Sequence, residues 1–336
     1  MNSANPKDQQ AHRKRGKIIF KNKPKFSEFE AHQAFNERRE KLIPLIEKFI
    51  SGHTFFKDKE VQVSYMQRGV GSIVCLIESL DGKFILKIPL SINFATGEAE
   101  FLEKWTSVGI KTPKIFETGK IGGHHYTVME YISEPALNEK YSGAQLLAMN
   151  VFVDLGKTLR KMHEPRAKGF GRMVNGNGEF DTFHRWILSD EIQRRIKYVR
   201  DNKVLGEEHG SLENALSALN NFIDTQQGTS YCHDDFNVSN IFATEPITVF
   251  DPNPKFNIGY LDLARSMLPG ITKEKSTENE QLTLGYFGDE RYDDKVLHSA
   301  LMLNCYIKSF DWHKKKKQEF IEGARRYLSR RRELVS

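Results

Sequence analysis

No apolar run in the 336-residue chain approaches the ~20 positions that a membrane-spanning helix needs. The opening residues, Met1 to Asp8, are polar and lack the apolar core of a secretory leader. Cysteine is scarce. Cys75, Cys232 and Cys305 stand far apart with no Cys-x-x-Cys spacing, so neither a disulfide framework nor a cysteine zinc site is implied. A reducing cytoplasm is therefore the expected compartment, with no membrane partner. No Gly-x-Ser-x-Gly elbow is present, which argues against a serine hydrolase. No Gly-Lys-Ser/Thr follows Gly69 and Gly71, so a Walker A loop is excluded.

What is present fits a soluble globular chain of one large or two modest domains, with 39% hydrophobic and 28% charged residues. The net charge of +6 is concentrated at the ends. Residues 1–25 carry eight basic residues, from Lys7 to Lys25, against Asp8 alone, and 314–332 carry Lys314 to Lys317, Arg325, Arg326 and Arg330 to Arg332. Aromatic residues are sparse in both, Phe20 in the first and Phe320 and Tyr327 in the second, so both read as solvated segments or a charged helix face and not as nucleic-acid binders. Residues 1–25 are expected to form a disordered basic extension.

A helix is expected over about 27–50, with Pro44 as a possible interruption. Strands follow at 61–65, 72–77 and 83–88, the last two joined by Asp81-Gly82, a strong hairpin signal. The next helix, about 96–107, places Glu98, Phe101, Leu102 and Trp105 on one face and ends at Gly109. Strands near 114–116 and 126–129 complete a small sheet. Beyond Tyr131 the pattern turns helical, with stripes at 151–162, 185–200, 211–224, 293–310 and 315–330. The expected fold is α+β and bilobal. An antiparallel β lobe spans 26–131, and a helical lobe spans 132–336.

The chemistry concentrates in Tyr231-Cys232-His233-Asp234-Asp235-Phe236-Asn237-Val238-Ser239-Asn240 and in Val249-Phe250-Asp251-Pro252. Phosphoryl transfer needs one carboxylate on the attacking hydroxyl, and an amide oxygen plus a second carboxylate on Mg²⁺. Asp235, Asn240 and Asp251 are those candidates. Residues 241–243 and 247–250 are short β-branched runs around Thr244-Glu245-Pro246, so a hairpin would set Asn240 opposite Phe250 and bring Asp251 beside it. On a helix Asp235 and Asn240 would diverge by about 140°, so the motif requires a loop. His233 reads as a structural brace, and Asp262 as a carboxylate at the start of a helix, capping that helix.

Other candidates are weaker individually. Gly69, Gly71 and Ser72 form a turn whose backbone could approach phosphates. Lys87 lies in an apolar strand, where a buried ammonium needs a carboxylate; Glu98 is the best-placed partner. Backbone groups from Glu130 to Ile132 could read an adenine edge. The acids Glu274, Glu278, Glu280, Asp289, Glu290, Asp293 and Asp294 read as a loop, either solvated or lining a pocket for a polycation.

These residues resemble the aminoglycoside phosphotransferase and choline kinase-like family of small-molecule kinases, with hygromycin B phosphotransferases as the most similar branch. The likeness spans roughly residues 60–270. His233, Asp235 and Asn240 match the family's catalytic signature, Asp251 its metal aspartate, and Lys87 with Glu98 its lysine–glutamate pair. Asp234 departs from the usual Gly or Ala. The resemblance implies a protein-kinase-like fold, ATP or GTP as co-substrate, Mg²⁺, and a hydroxyl-bearing small molecule, an aminoglycoside-type antibiotic among the options. The alternatives are a protein kinase and a catalytically silent nucleotide-binding module.

Overall fold

Apolar and polar residues alternate from Val61 onward, and the alternation becomes a sheet. The computed structural model describes residues 17–28, 32–54, 56, 59–67, 71–90, 97–206, 209–226, 228–273 and 275–331. The chain divides into two compact units, residues 1–95 with 114–131 and residues 96–113 with 132–336.

The first unit contains β1 (Ile18–Phe20), α1 (Gln33–Gly52), β2 (Val61–Tyr65), β3 (Ser72–Ser79), β4 (Gly82–Pro89), β5 (Ile115–Ile121) and β6 (His124–Glu130). They form a six-stranded sheet in the order β1-β2-β3-β4-β6-β5, antiparallel except for β1 on β2. One face of the sheet supplies Val61, Val63, Ile73, Ile77, Leu86 and Ile88 to a core that Leu42, Ile46 and Ile50 of α1 join. Each such side chain contributes about 1.5–3 kcal/mol when withdrawn from water. Pro44 lies inside α1 without ending it.

The second unit opens with α2 (Glu98–Ser107), then α3 (Leu137–Lys140), α4 (Gly143–Ala148) and α5 (Val151–Met162). A mixed segment follows, with β7 (Arg166–Ala167), β8 (Phe170–Val174), β9 (Asn177–Phe180), α6 (Phe183–Ile187), α7 (Asp190–Asp201), α8 (His209–Ile223), β10 (Thr229–Cys232), β11 (Ile241–Phe242), β12 (Thr248–Val249) and β13 (Lys255–Asn257). The chain closes with α9 (Gly259–Thr272), α10 (Ser276–Phe287), α11 (Asp294–Lys314) and α12 (Gln318–Arg330). Helix α11 is buried without a break from Val296 to Tyr306, which makes it the central helix of the unit. Helices α5 and α10 pack where Gly156 and Gly285 let backbones meet; a Cβ on Gly285 would lie 1.9 Å from the Val153 carbonyl oxygen.

Four expectations need correction. Ile18–Phe20, assigned to a disordered extension, is an edge strand, because three apolar residues extend the sheet through backbone pairing with β2. The first helix starts at Gln33, not near Ser27. Helix α2, assigned to the first lobe, belongs to the second unit, where Phe101 packs on Tyr231 and Phe256. The acidic stretch read as a loop holds helix α10.

Candidate active site

The stretch 233–240, between β10 and the β11–β12 hairpin, is a loop that ends in a single 3-10 turn over Val238–Asn240. Ile241 pairs with Val249 and Phe242 with Thr248. Continuing that register sets Asn240 opposite Phe250, and the Phe250 amide donates to the Asn240 carbonyl at 3.1 Å. Phe242 and Phe250 stack across the hairpin with centroids 3.8 Å apart. Asp251 therefore leaves the hairpin one residue beyond the position facing Asn240. It sits exposed at φ +53°.

Asn240 is buried, and its Nδ2 donates to both the carbonyl and the Oδ2 of Asp235, each at 2.9 Å. Asn237 Nδ2 donates to the same carbonyl at 2.8 Å, while its Oδ1 accepts from the Ser239 amide. With its NH₂ committed to Asp235, Asn240 keeps Oδ1 as an acceptor. Together with the Asp251 carboxylate this is an all-oxygen donor set, which fits a hard cation such as Mg²⁺. Asp235 is exposed, yet the protein around it strips enough water to raise its carboxyl above the ordinary aspartate value, against the pull of Arg265, His233 and Asn240.

The loop is pinned from beneath by Asp262. Its buried carboxylate accepts the amides of His233 and Asp234, both at 2.7 Å, and bonds His163 Nε2 at 3.0 Å. Asp262 was expected to cap its own helix. It caps the amides of a distant loop instead. His163, Cys232 and Asp262 form, among the described residues, a set close enough to hold a metal. The three are committed elsewhere: His163 bonds Tyr286 and Asp262, and the Cys232 thiol, pushed up by burial, turns to the Asn257 and Ile258 carbonyls. His233 is fully buried, stacks on Trp105 and bonds the Phe250 carbonyl through Nε2 at 3.0 Å. Burial lowers its pKa, so the ring is neutral and serves as a brace.

Asp234 occupies a left-handed position at φ +54°, which explains why glycine suits it. Its carboxylate accepts from Asn253 Nδ2 at 2.7 Å and Lys255 Nζ at 2.6 Å, and its carbonyl accepts from Arg265 Nε at 3.2 Å. The Asn253 amide also donates to the His233 carbonyl at 2.9 Å. The segment carrying Asp251 is thus tied to the loop carrying Asp235.

A family model described as the phosphotransferase enzyme family matches residues 67–253. The chain belongs to the phosphotransferase enzyme family. Its fold is that of small-molecule kinases of known structure. A thermostable mutant of aminoglycoside phosphotransferase APH(4)-Ia, in ternary complex with ADP and hygromycin B, is 15% identical with a TM-score of 0.59; the match covers 85% of this chain and 97% of that one. A choline/ethanolamine kinase family protein from Mesorhizobium loti is 18% identical with a TM-score of 0.55, covering 90% and 95%. The ethanolamine kinase of Plasmodium vivax is 13% identical with a TM-score of 0.52, covering 80% and 81%. A search of curated proteins found no match.

The other candidate residues of this phosphotransferase-family chain are placed within their own units. In the first unit Lys87 is 8% exposed on β4, an interior strand between β3 and β6, and not at an edge facing solvent. Ser72 starts β3, and the Gly71 carbonyl accepts from the Leu90 amide at 2.8 Å; Gly69 lies outside the described residues. Glu130 ends β6, and its carboxylate accepts from the Lys114 amide at 3.1 Å. In the second unit Glu98 is buried at the first position of α2, and Ile132 is half-buried. Of the acids proposed for a polycation pocket, Glu278 pairs with Lys275, Glu290 with Arg160, and Asp293 caps α11.

Proposed function

We propose that the protein transfers the γ-phosphate of ATP or GTP to a hydroxyl of a small molecule. One observation carries the reading: the register of a short hairpin sets Asn240 beside the Asp251 segment while the Asn240 amide nitrogen is bonded to Asp235. Asp235 would accept or orient the hydroxyl proton, with its carboxylate held in one direction by Asn240. Asn240 Oδ1 and Asp251 would hold Mg²⁺, which when bound supplies charge neutralisation to the phosphates. Lys87 and Glu98 would serve the α/β-phosphates, Gly69 to Ser72 would cover them, and Glu130 to Ile132 would face the base. Rate gain in such a site comes from alignment and fixed charge.

The substrate class is supported by the relatives' fold and by the open position of Asp235. An aminoglycoside remains within the class, although three of the acids expected to attract one are engaged in internal contacts. The test is a ³¹P NMR screen with Mg-ATP and Mg-GTP against aminoglycosides, choline, ethanolamine and sugar alcohols. Transfer to one of these, reduced about 10²–10⁴-fold in Asp235→Asn with unchanged circular dichroism, is the expected result. Undiminished transfer in that variant would overturn the assignment of Asp235. Phosphorylation of protein substrates alone would favour the protein-kinase reading.

A further inference from the structure

Helix α9 turns Asp262 and Arg265 toward the loop that carries Asp235. At about 100° per residue, Met267, Gly270 and Ile271 fall on the opposite face of that helix. There they line a separate cavity of about 630 Å³ bounded by α9, α10, α11 and α12. Its size lies within the range typical of small-molecule sites.

The floor is apolar: Met267, Ile271, Leu297 and Leu301 are buried. At the rim Leu284 is 55% and Tyr292 38% exposed. His298 joins the lining from α11 and is 2% exposed. Its Nδ1 bonds the Tyr327 hydroxyl at 3.1 Å, whereas its Nε2 has no hydrogen-bond partner. Burial lowers the imidazole pKa to about 4 and raises that of the Tyr327 phenol. The phenol is neutral at neutral pH, and where its O–H donates to Nδ1 the ring's one proton resides on Nε2. In that tautomer the cavity wall carries a buried donor that lacks an acceptor. Arg326, Arg330 and Arg331 border the same space with Glu280 and Asp294, and the charge of Arg331 adds to burial in lowering the His298 pKa.

We propose that this cavity is a binding site for a small amphipathic monocarboxylate, its apolar body on the Met267–Leu301 floor and its carboxylate accepting from His298 Nε2–H beside Arg331. The site is separate from the phosphotransfer centre, because it uses none of Lys87, Glu98, Asp235, Asn240 and Asp251. The chemistry is selective: an alcohol satisfies the donor but not Arg331, and an amine at the same place meets Arg331 as a like charge and cannot accept as a carboxylate does.

The test is a methyl-resolved NMR titration of the full chain with decanoate, alongside decanol and decylamine. Saturable shifts of the Met267, Leu284 and Leu301 methyls with decanoate are expected, with decanol and decylamine at least tenfold weaker. His298→Phe preserves ring volume and removes the donor; Arg331→Gln, on the surface, removes charge without entering the core. Each should weaken decanoate at least fivefold. Absence of saturable shifts at those methyls, equal binding of decylamine, or unchanged affinity in a folded Arg331→Gln variant would each overturn the proposal.

Discussion

Asp234 stands at φ +54° with its carboxylate bridging Asn253 and Lys255. Glycine accepts that backbone without strain, so Asp234→Gly removes the bridge alone. We expect that change to cost about 1–3 kcal/mol in urea unfolding, because charge-assisted hydrogen bonds are lost and Lys255 is left half-buried without its acid. Turnover should fall about three- to tenfold with little change in nucleotide KM, and Asp234→Asn should recover part of both. Full recovery of both by Asp234→Asn would mean that the side chain merely fills space and that its charge on Lys255 does not matter. Asp235 gives a pH prediction of definite sign. Its carboxyl is raised because the surrounding protein strips water from it, and it acts when ionised, so the acidic limb of the kcat/KM profile should lie above the ordinary aspartate value of about 4. Activity is lost as pH falls through that limb. A limb at or below 4 would contradict the assignment.

The hairpin β11–β12 could be read in advance because its signals are local: β-branched runs, a turn, and a register that follows by counting. Asp262 shows the opposite case. Its position near a helix start invited a local reading, but its partners, the amides of His233 and Asp234, lie 29 and 28 residues away in sequence. Nothing within a window around Asp262 points to them. Helix α10 escaped notice for a related reason. Its apolar residues do not gather on one side, and its Leu282, Gly285, Tyr286 and Phe287 are buried through packing that only the folded unit creates. The α5–α10 crossing depends on Gly156 and Gly285, where an added Cβ would lie 2.2 Å from the Leu282 carbonyl and 1.9 Å from that of Val153. Gly285→Ala should force the helices apart and lower stability by about 1–3 kcal/mol or more, measured by thermal and urea unfolding. An unchanged midpoint would show that the pair can slide without penalty.

Across the whole molecule, the small sheet of the first unit and the main helices of the second were legible in the period of the apolar residues, because both periods are set by backbone geometry; the five-stranded sheet β7-β10-β13-β8-β9, built from strands of two to five residues, was not. The assignment of α2 was not, since sequence adjacency placed it among strands whereas its aromatic face packs with Tyr231, Phe256 and His233. Trp105 Nε1 adds a hydrogen bond to the Tyr231 carbonyl at 3.3 Å. The second unit is therefore assembled from two separated pieces of chain, 96–113 and 132–336. A polypeptide beginning at Ile132 would retain every helix from α3 to α12 yet would present Tyr231 and Phe256 to water. We expect it to be recovered insoluble or to bind hydrophobic dyes, and a synthetic peptide spanning 96–113, supplied in trans, to restore solubility. Gene fusions, split reporters or domain exchanges that cut this chain at its apparent lobe border would inherit the same defect, so any workable partition must carry the tryptophan helix along with the half it serves.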